Sequence, residues 1–151
     1  MTDPIVSIKY EDKAVSDRLN TLSKHCKDLG TKRLVIGTNV QYMAKHQLGL
    51  EGLPVRRFLG ISQTDNAELV AILDESIANP PQSADTTLSQ MGEFLLMSTD
   101  ERWEQEIDPD GKPWQRNSAY TIRMKKAQGR LLKVLQATGV GRTSIVYQIK
   151  S

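Results

Sequence analysis

The chain has 151 residues, with 20 Lys/Arg against 18 Asp/Glu, 38% hydrophobic side chains and one cysteine. That length suits one domain of roughly 100–200 residues, able to bury a core without a metal or disulfide staple. Cys26 has no partner thiol in the chain, which fits a reducing compartment. The opening MTDPIVSIKY shows no secretory pattern, and the apolar runs Leu69–Leu73 and Phe94–Met97 fall far short of the ~20 residues of a membrane span. A membrane protein, a secreted disulfide scaffold and a large multidomain enzyme are therefore disfavoured.

Ile5–Tyr10 alternates weakly and predicts a strand. Residues 12–29 predict a helix whose apolar stripe is Val15, Leu19, Leu22, Cys26 and Leu29. On that reading Cys26 is buried, His25 faces solvent, and Gly30 ends the helix in a left-handed conformation. Arg33–Thr38 (RLVIGT) predicts a second strand, and residues 39–60 read as irregular, punctuated by Gly49, Gly52 and Pro54. Thr64 or Asp65 is placed to cap a helix reaching about Ile77, with Leu69, Val70, Leu73 and Ile77 as its apolar face. The segment 79–86 (NPPQSADT) reads as a linker, because two successive prolines stop a helix.

Thr87 and Gln90 have capping-box spacing and predict a helix to about Ile107, buried through Leu88, Met91, Leu95 and Trp103. DPDGK at 108–112 is a turn. Ser118 caps a basic helix that Gly129 interrupts, Leu131–Leu135 forms a further helical piece, and residues 138–141 (TGVG) turn the chain into a last strand, Ser144–Lys150. Helices and strands mix without regular βαβ order. The expected fold is α+β: one domain spanning 1–151, with a small antiparallel sheet packed against several helices.

Charge is distributed in blocks. Residues 1–59 carry ten basic and six acidic side chains, 60–110 one basic (Arg102) and twelve acidic, and 111–151 nine basic and none acidic. Two opposed blocks can neutralise each other inside one fold. They can also drive head-to-tail association of identical subunits, or leave a basic face over 112–142 for nucleic acid phosphates.

No enzyme motif survives inspection. Gly139 and Gly141 lack the third glycine of a dinucleotide loop, no Gly-Lys-Ser/Thr occurs, and Asp108, Asp110 and Gly111 lack the downstream acids of a calcium loop. His25, Cys26 and His46 are too few for a zinc site. No cofactor or metal is expected, and His46 reads as structural rather than as a catalytic base.

Three stretches together resemble the phage virion morphogenesis family, which includes tail completion proteins of contractile-tailed phages. They are VIGTNVQYMAKHQLG (35–49) with PVRRFLGIS (54–62), the 91–114 block containing GEFLLMSTDERWEQEIDPDGKPW, and LLKVLQATGVGRTSI (131–145). The first stretch precedes the other two here, whereas in the family pattern it follows them, and segment 79–86 lies at one junction. Pairing of Ser144–Lys150 with Arg33–Thr38 would hold the exchanged blocks together. Arg56 stands where the family pattern has proline, and Gly141 departs from its Thr-Gly turn.

The resemblance implies a non-enzymatic role in phage or prophage assembly: finishing the tail end and joining it to the head, with a ring of identical subunits implied by analogy with related tail-end proteins. Its implied partners are tail-end or head-connector proteins, in the host cytoplasm during assembly and then in the virion. Residues expected at interfaces are Arg56, Arg57, Glu101, Glu104, Glu106, Trp114, Arg123, Lys125, Lys126, Arg130 and Arg142. Of these, Arg56 and Arg57 are read as exposed, and Trp114 as a core anchor of the interface-hot-spot type. Structural roles are expected for Gly37 and Asn39 at a strand exit, His46 and Gln47 hydrogen-bonding that loop, Phe58 in the core, and Gly60, Gly111, Thr138 and Gly139 in turns.

Overall fold

A computed structural model describes residues 13–151, with Val15 described by its backbone alone. The strand expected at Ile5–Tyr10 lies outside the described residues. The elements are α1 (Lys13–Thr31), β1 (Arg33–Gly37), α2 (Gln41–Leu48), α3 (Gln63–Ala78), α4 (Ala84–Gln105), α5 (Ala119–Ala127), α6 (Val140–Thr143) and β2 (Val146–Lys150). β1 and β2 pair antiparallel, from Arg33 opposite Lys150 to Gly37 opposite Val146. This is the α+β arrangement read from the sequence, with α4 at its centre touching α1, α3 and both strands. The strand pair also sets the early block of the chain beside the late one.

The core gathers Met43, Phe58, Trp103, Trp114, Val134 and Ile145 from segments far apart in sequence. Trp103 is wholly buried. It meets Phe58 at 5.5 Å and stands edge-on to Trp114 at 5.1 Å and 87°, a favourable quadrupole geometry. Glycine makes two close approaches possible. A Cβ on Gly92 would lie 2.5 Å from the Tyr147 ring, and one on Gly141 would lie 2.6 Å from Met43 Sδ. The short helix α6 can therefore seat on α2, and β2 on α4.

Several local expectations are corrected. α1 docks through Leu22 and Leu29 of the predicted stripe together with His25, so His25 is buried while Leu19 and Cys26 are exposed. A polar anchor decides this rotation. His25 Nε2 lies 3.2 Å from Ser76 Oγ on α3, and Arg18 Nη2 donates to Ala78 O at 3.2 Å. α1 also runs through Gly30 to Thr31, so Gly30 does not end it. Helix α2 replaces part of the expected loop. Met43 is its one buried residue, which leaves no periodic stripe to read, and Gly49 closes it at φ 67°.

The caps of the next two helices shift upstream. Ser62 caps α3 in a reciprocal box with Asp65, displacing Thr64 or Asp65 from that role, and Val70 and Ile77 stay half-exposed. Ser83 caps α4, so Thr87 and Gln90 lie inside the helix, and residues 84–86 of the linker-like segment are already helical. Ser118 caps α5 as expected. Leu131–Leu135 is not helical. Its backbone is held by side chains instead: Glu106 Oε1 accepts from Val134 N, and Lys125 Nζ donates to Lys133 O at 2.8 Å. Residues 138–141 turn at Gly139 (φ 78°) and then enter α6. Among the described residues, no helix is long and apolar enough to cross a membrane.

Candidate functional site

Much of the acidic block is neutralised within the fold. Arg142 reaches back to α4 and grips Asp100 with two nitrogens, at 2.5 and 2.8 Å, while its third lies 2.8 Å from Glu104. Lys133 Nζ pairs with the same Glu104. These contacts hold Asp100 and Glu104 below their ordinary carboxylate values and Arg142 above its own. Arg57 pairs with Asp110 at 3.2 Å. Of the residues expected at an interface, Arg57, Glu104 and Arg142 are thus engaged internally, and Glu106 is spent on the Val134 amide.

The deepest pair is Arg102 with Asp65, both buried and 2.7 Å apart. Ser98 Oγ and the Ser62 amide also donate to Asp65. Burial pushes this carboxyl up, but the hydrogen bonds and the guanidinium together hold it below its ordinary value. Arg102 Nη2 also donates to Gly60 O at 2.9 Å, where a Cβ on Gly60 would sit 2.6 Å from Pro109. Arg102 was the one basic residue of an acidic block, a signal that could have marked it as an internal counter-charge.

A second locus is built around residues 53–56, α2 and the entry to α5. Its spine is Gln47, whose Oε1 accepts from the amides of Phe58 (2.9 Å) and Leu59 (3.1 Å) and whose Nε2 donates to Leu59 O (3.1 Å). Gln47 therefore secures residues 58–59 rather than the strand exit. Trp114 Nε1 donates to Arg57 O at 2.9 Å, and Phe58 and Trp114 are core residues as expected. Arg56 is not exposed. It is 7% accessible, with Nε donating to Gln115 O at 2.9 Å and Nη2 to Arg116 O at 3.4 Å.

Lys125, expected on an open basic face, is 8% accessible. Burial lowers both Arg56 and Lys125 below their usual values, and Arg56 lowers Lys125 further. His46 is likewise lowered, by burial and then by Arg56. These groups line an open cleft of about 520 Å³ that also includes Arg116 and Arg130. Arg116 was not singled out in the sequence, where nothing distinguishes it from a solvated arginine.

The remaining expected positions are dispersed. Glu101, Arg123 and Lys126 are exposed on the helices. Gly37 ends β1 without a positive φ and Asn39 is exposed; Thr38 Oγ1, accepting from Val40 N at 3.1 Å, shapes that exit. Gly111 (φ 80°) closes a turn in which Asp108 Oδ1 accepts from the amides of Asp110 and Lys112, both at 2.9 Å. Thr138 is exposed and Gly139 precedes α6. Among the described residues, no group of three or more His, Cys, Asp or Glu is placed to hold a metal ion.

The sequence model of the phage virion morphogenesis family matches residues 67–151, more than half of the chain. The protein belongs to the phage virion morphogenesis family. No curated protein and no solved structure matches it. The matched region of this family member runs from within α3 to the end of β2 and contains the Arg142 network and α5. The block carrying β1, α2 and Arg56 lies outside the match, yet supplies Met43 and Phe58 to the shared core.

Proposed function

We propose that this phage assembly protein completes the tail end and joins it to the head, acting as a homo-oligomer beside tail-end or head-connector proteins. The observation that supports the reading is the charge left over after internal pairing. Glu68, Asp74 and Glu101 stand exposed on α3 and α4, and no ion pair engages them among the described residues. Arg123 and Lys126 stand exposed on α5 in the same condition. Opposite, unspent charge on different helices of one subunit suits a heterologous contact that repeats into a ring.

The test is solution mass by size-exclusion chromatography with light scattering, at low and high salt, alone and with tail ends. Glu68→Lys/Glu101→Lys is the informative variant, because Glu104 and Glu106 serve the fold. A salt-sensitive oligomer that this variant dissociates supports the proposal. A monomer that fails to bind tail ends, or assembly unaffected by the reversal, removes it.

A further inference from the structure

The Arg56 cleft poses an electrostatic problem that the fold does not solve. Four cations line it, Arg56, Arg116, Lys125 and Arg130, and among the described residues no aspartate or glutamate lines it. Two of the four are more than nine-tenths buried. Their hydrogen bonds run to backbone carbonyls of Gln115, Arg116 and Lys133, which orient them without cancelling their charge. Glu106, whose Oε1 accepts from the Val134 amide, is the carboxylate whose field reaches Lys125, a single negative charge against four cations. Burying cations with less counter-charge than they carry is costly. Among the described residues, no acidic side chain stands in this wall.

We infer that the cleft is a binding site for a phosphate group, which Arg56 and Lys125 receive at its floor and Arg116 and Arg130 receive at its rim. A phosphate is favoured over a protein carboxylate by count. One carboxylate offers two oxygens and a single charge against four cations, whereas a phosphate offers more acceptors. A nucleic acid strand places further phosphates within reach of the rim, and Arg provides the planar fork that binds them. Tyr42, half-exposed in the same wall, gives a base or sugar an apolar surface to rest on. The two sources of this chemistry are a nucleic acid strand and a small phosphate compound.

The experiment measures binding of inorganic phosphate and of a short single-stranded oligonucleotide to the full chain by calorimetry, and repeats both with Arg116→Ser/Arg130→Ser. No hydrogen bond or ion pair of these two side chains is present in the fold among the described residues, so the variant should retain its thermal midpoint. If a strand is the ligand, the oligonucleotide binds, inorganic phosphate competes with it, and the variant lowers affinity at least ~10-fold with a salt slope shallower by about 1.4. If a small phosphate is the ligand, inorganic phosphate binds, the oligonucleotide does not, and the variant again weakens binding. Lys125→Met serves as a second probe of the floor, and should abolish phosphate binding in whichever case holds. The proposal is overturned if neither probe binds at low salt, or if binding survives both variants. It also fails if the rim variant changes only the oligomeric state, because the cleft would then be receiving an acidic face of another subunit.

Discussion

Arg102 and Arg56 are buried to nearly the same degree, 6% and 7% accessible, but they are compensated in opposite ways. Arg102 faces a carboxylate 2.7 Å away, two hydroxyls and a carbonyl, so its charge is cancelled within the fold, although its Nε is buried without a hydrogen-bond partner. Arg56 has carbonyls alone and shares its cleft with three more cations. The first arrangement fixes how α4 sits against α3 and the 60–62 turn. The second keeps a positive charge oriented by carbonyls, which is the feature the proposed phosphate site rests on. Burial alone therefore does not say whether an arginine's charge is cancelled within the fold; the identity of its partners does.

The largest effect that sharpens this contrast is expected from Arg102→Met. It strands a buried Asp65 carboxylate and should cost about 3–5 kcal/mol in chemical unfolding. Asp65→Asn/Arg102→Met should recover much of that loss; a double variant as unstable as the sum of the singles would mean the two residues act separately.

Acid titration comes next. Asp65 has a folded value below its ordinary 3.8, so the stability it contributes is present above pH 3.8 and is lost as pH falls through the folded value. Unfolding midpoints followed from pH 5 downward should drop, and Asp65→Asn should flatten that drop.

The smallest effect is expected at the other arginine. Arg56→Met removes an uncompensated charge along with its carbonyl bonds, and should cost only about 1–2 kcal/mol. It should also raise the His46 pKa, which burial and Arg56 hold below 6.5. A base depressed in the fold resists protonation, so stability is lost as pH falls from 6.5 through the folded value. NMR titration of His46 should show the rise in Arg56→Met and none in Arg102→Met. Equal losses of stability in the two arginine variants would break the comparison.

Residue patterns made much of the fold legible. The α5 cap at Ser118, the buried Leu88, Leu95 and Trp103, the turn at 108–112 and both described strands all rest on local chemistry that a sequence displays directly. Two of the errors share one cause, which is polar partners supplied from elsewhere. His25 turns inward because Ser76 waits on α3, and residues 131–135 leave the helical path because Glu106 and Lys125 bind their backbone. The candidate cleft was legible only in fragments. Arg56, Lys125 and Arg130 were read as exposed surface, and Arg116 was not read at all.

By itself the sequence determined the α+β class, the opposed charge blocks and the kinship with a phage assembly family, because composition, periodicity and motifs are properties of the chain in order. Only the tertiary structure decided which charges cancel. Arg142 finds Asp100 across 42 positions and Arg102 finds Asp65 across 37, while Arg56 meets Lys125, Arg116 and Arg130 with no acid among them. The reason is electrostatic. A charge is spent or available according to what lies within a few ångströms of it, and that neighbourhood is set by packing rather than by position along the chain.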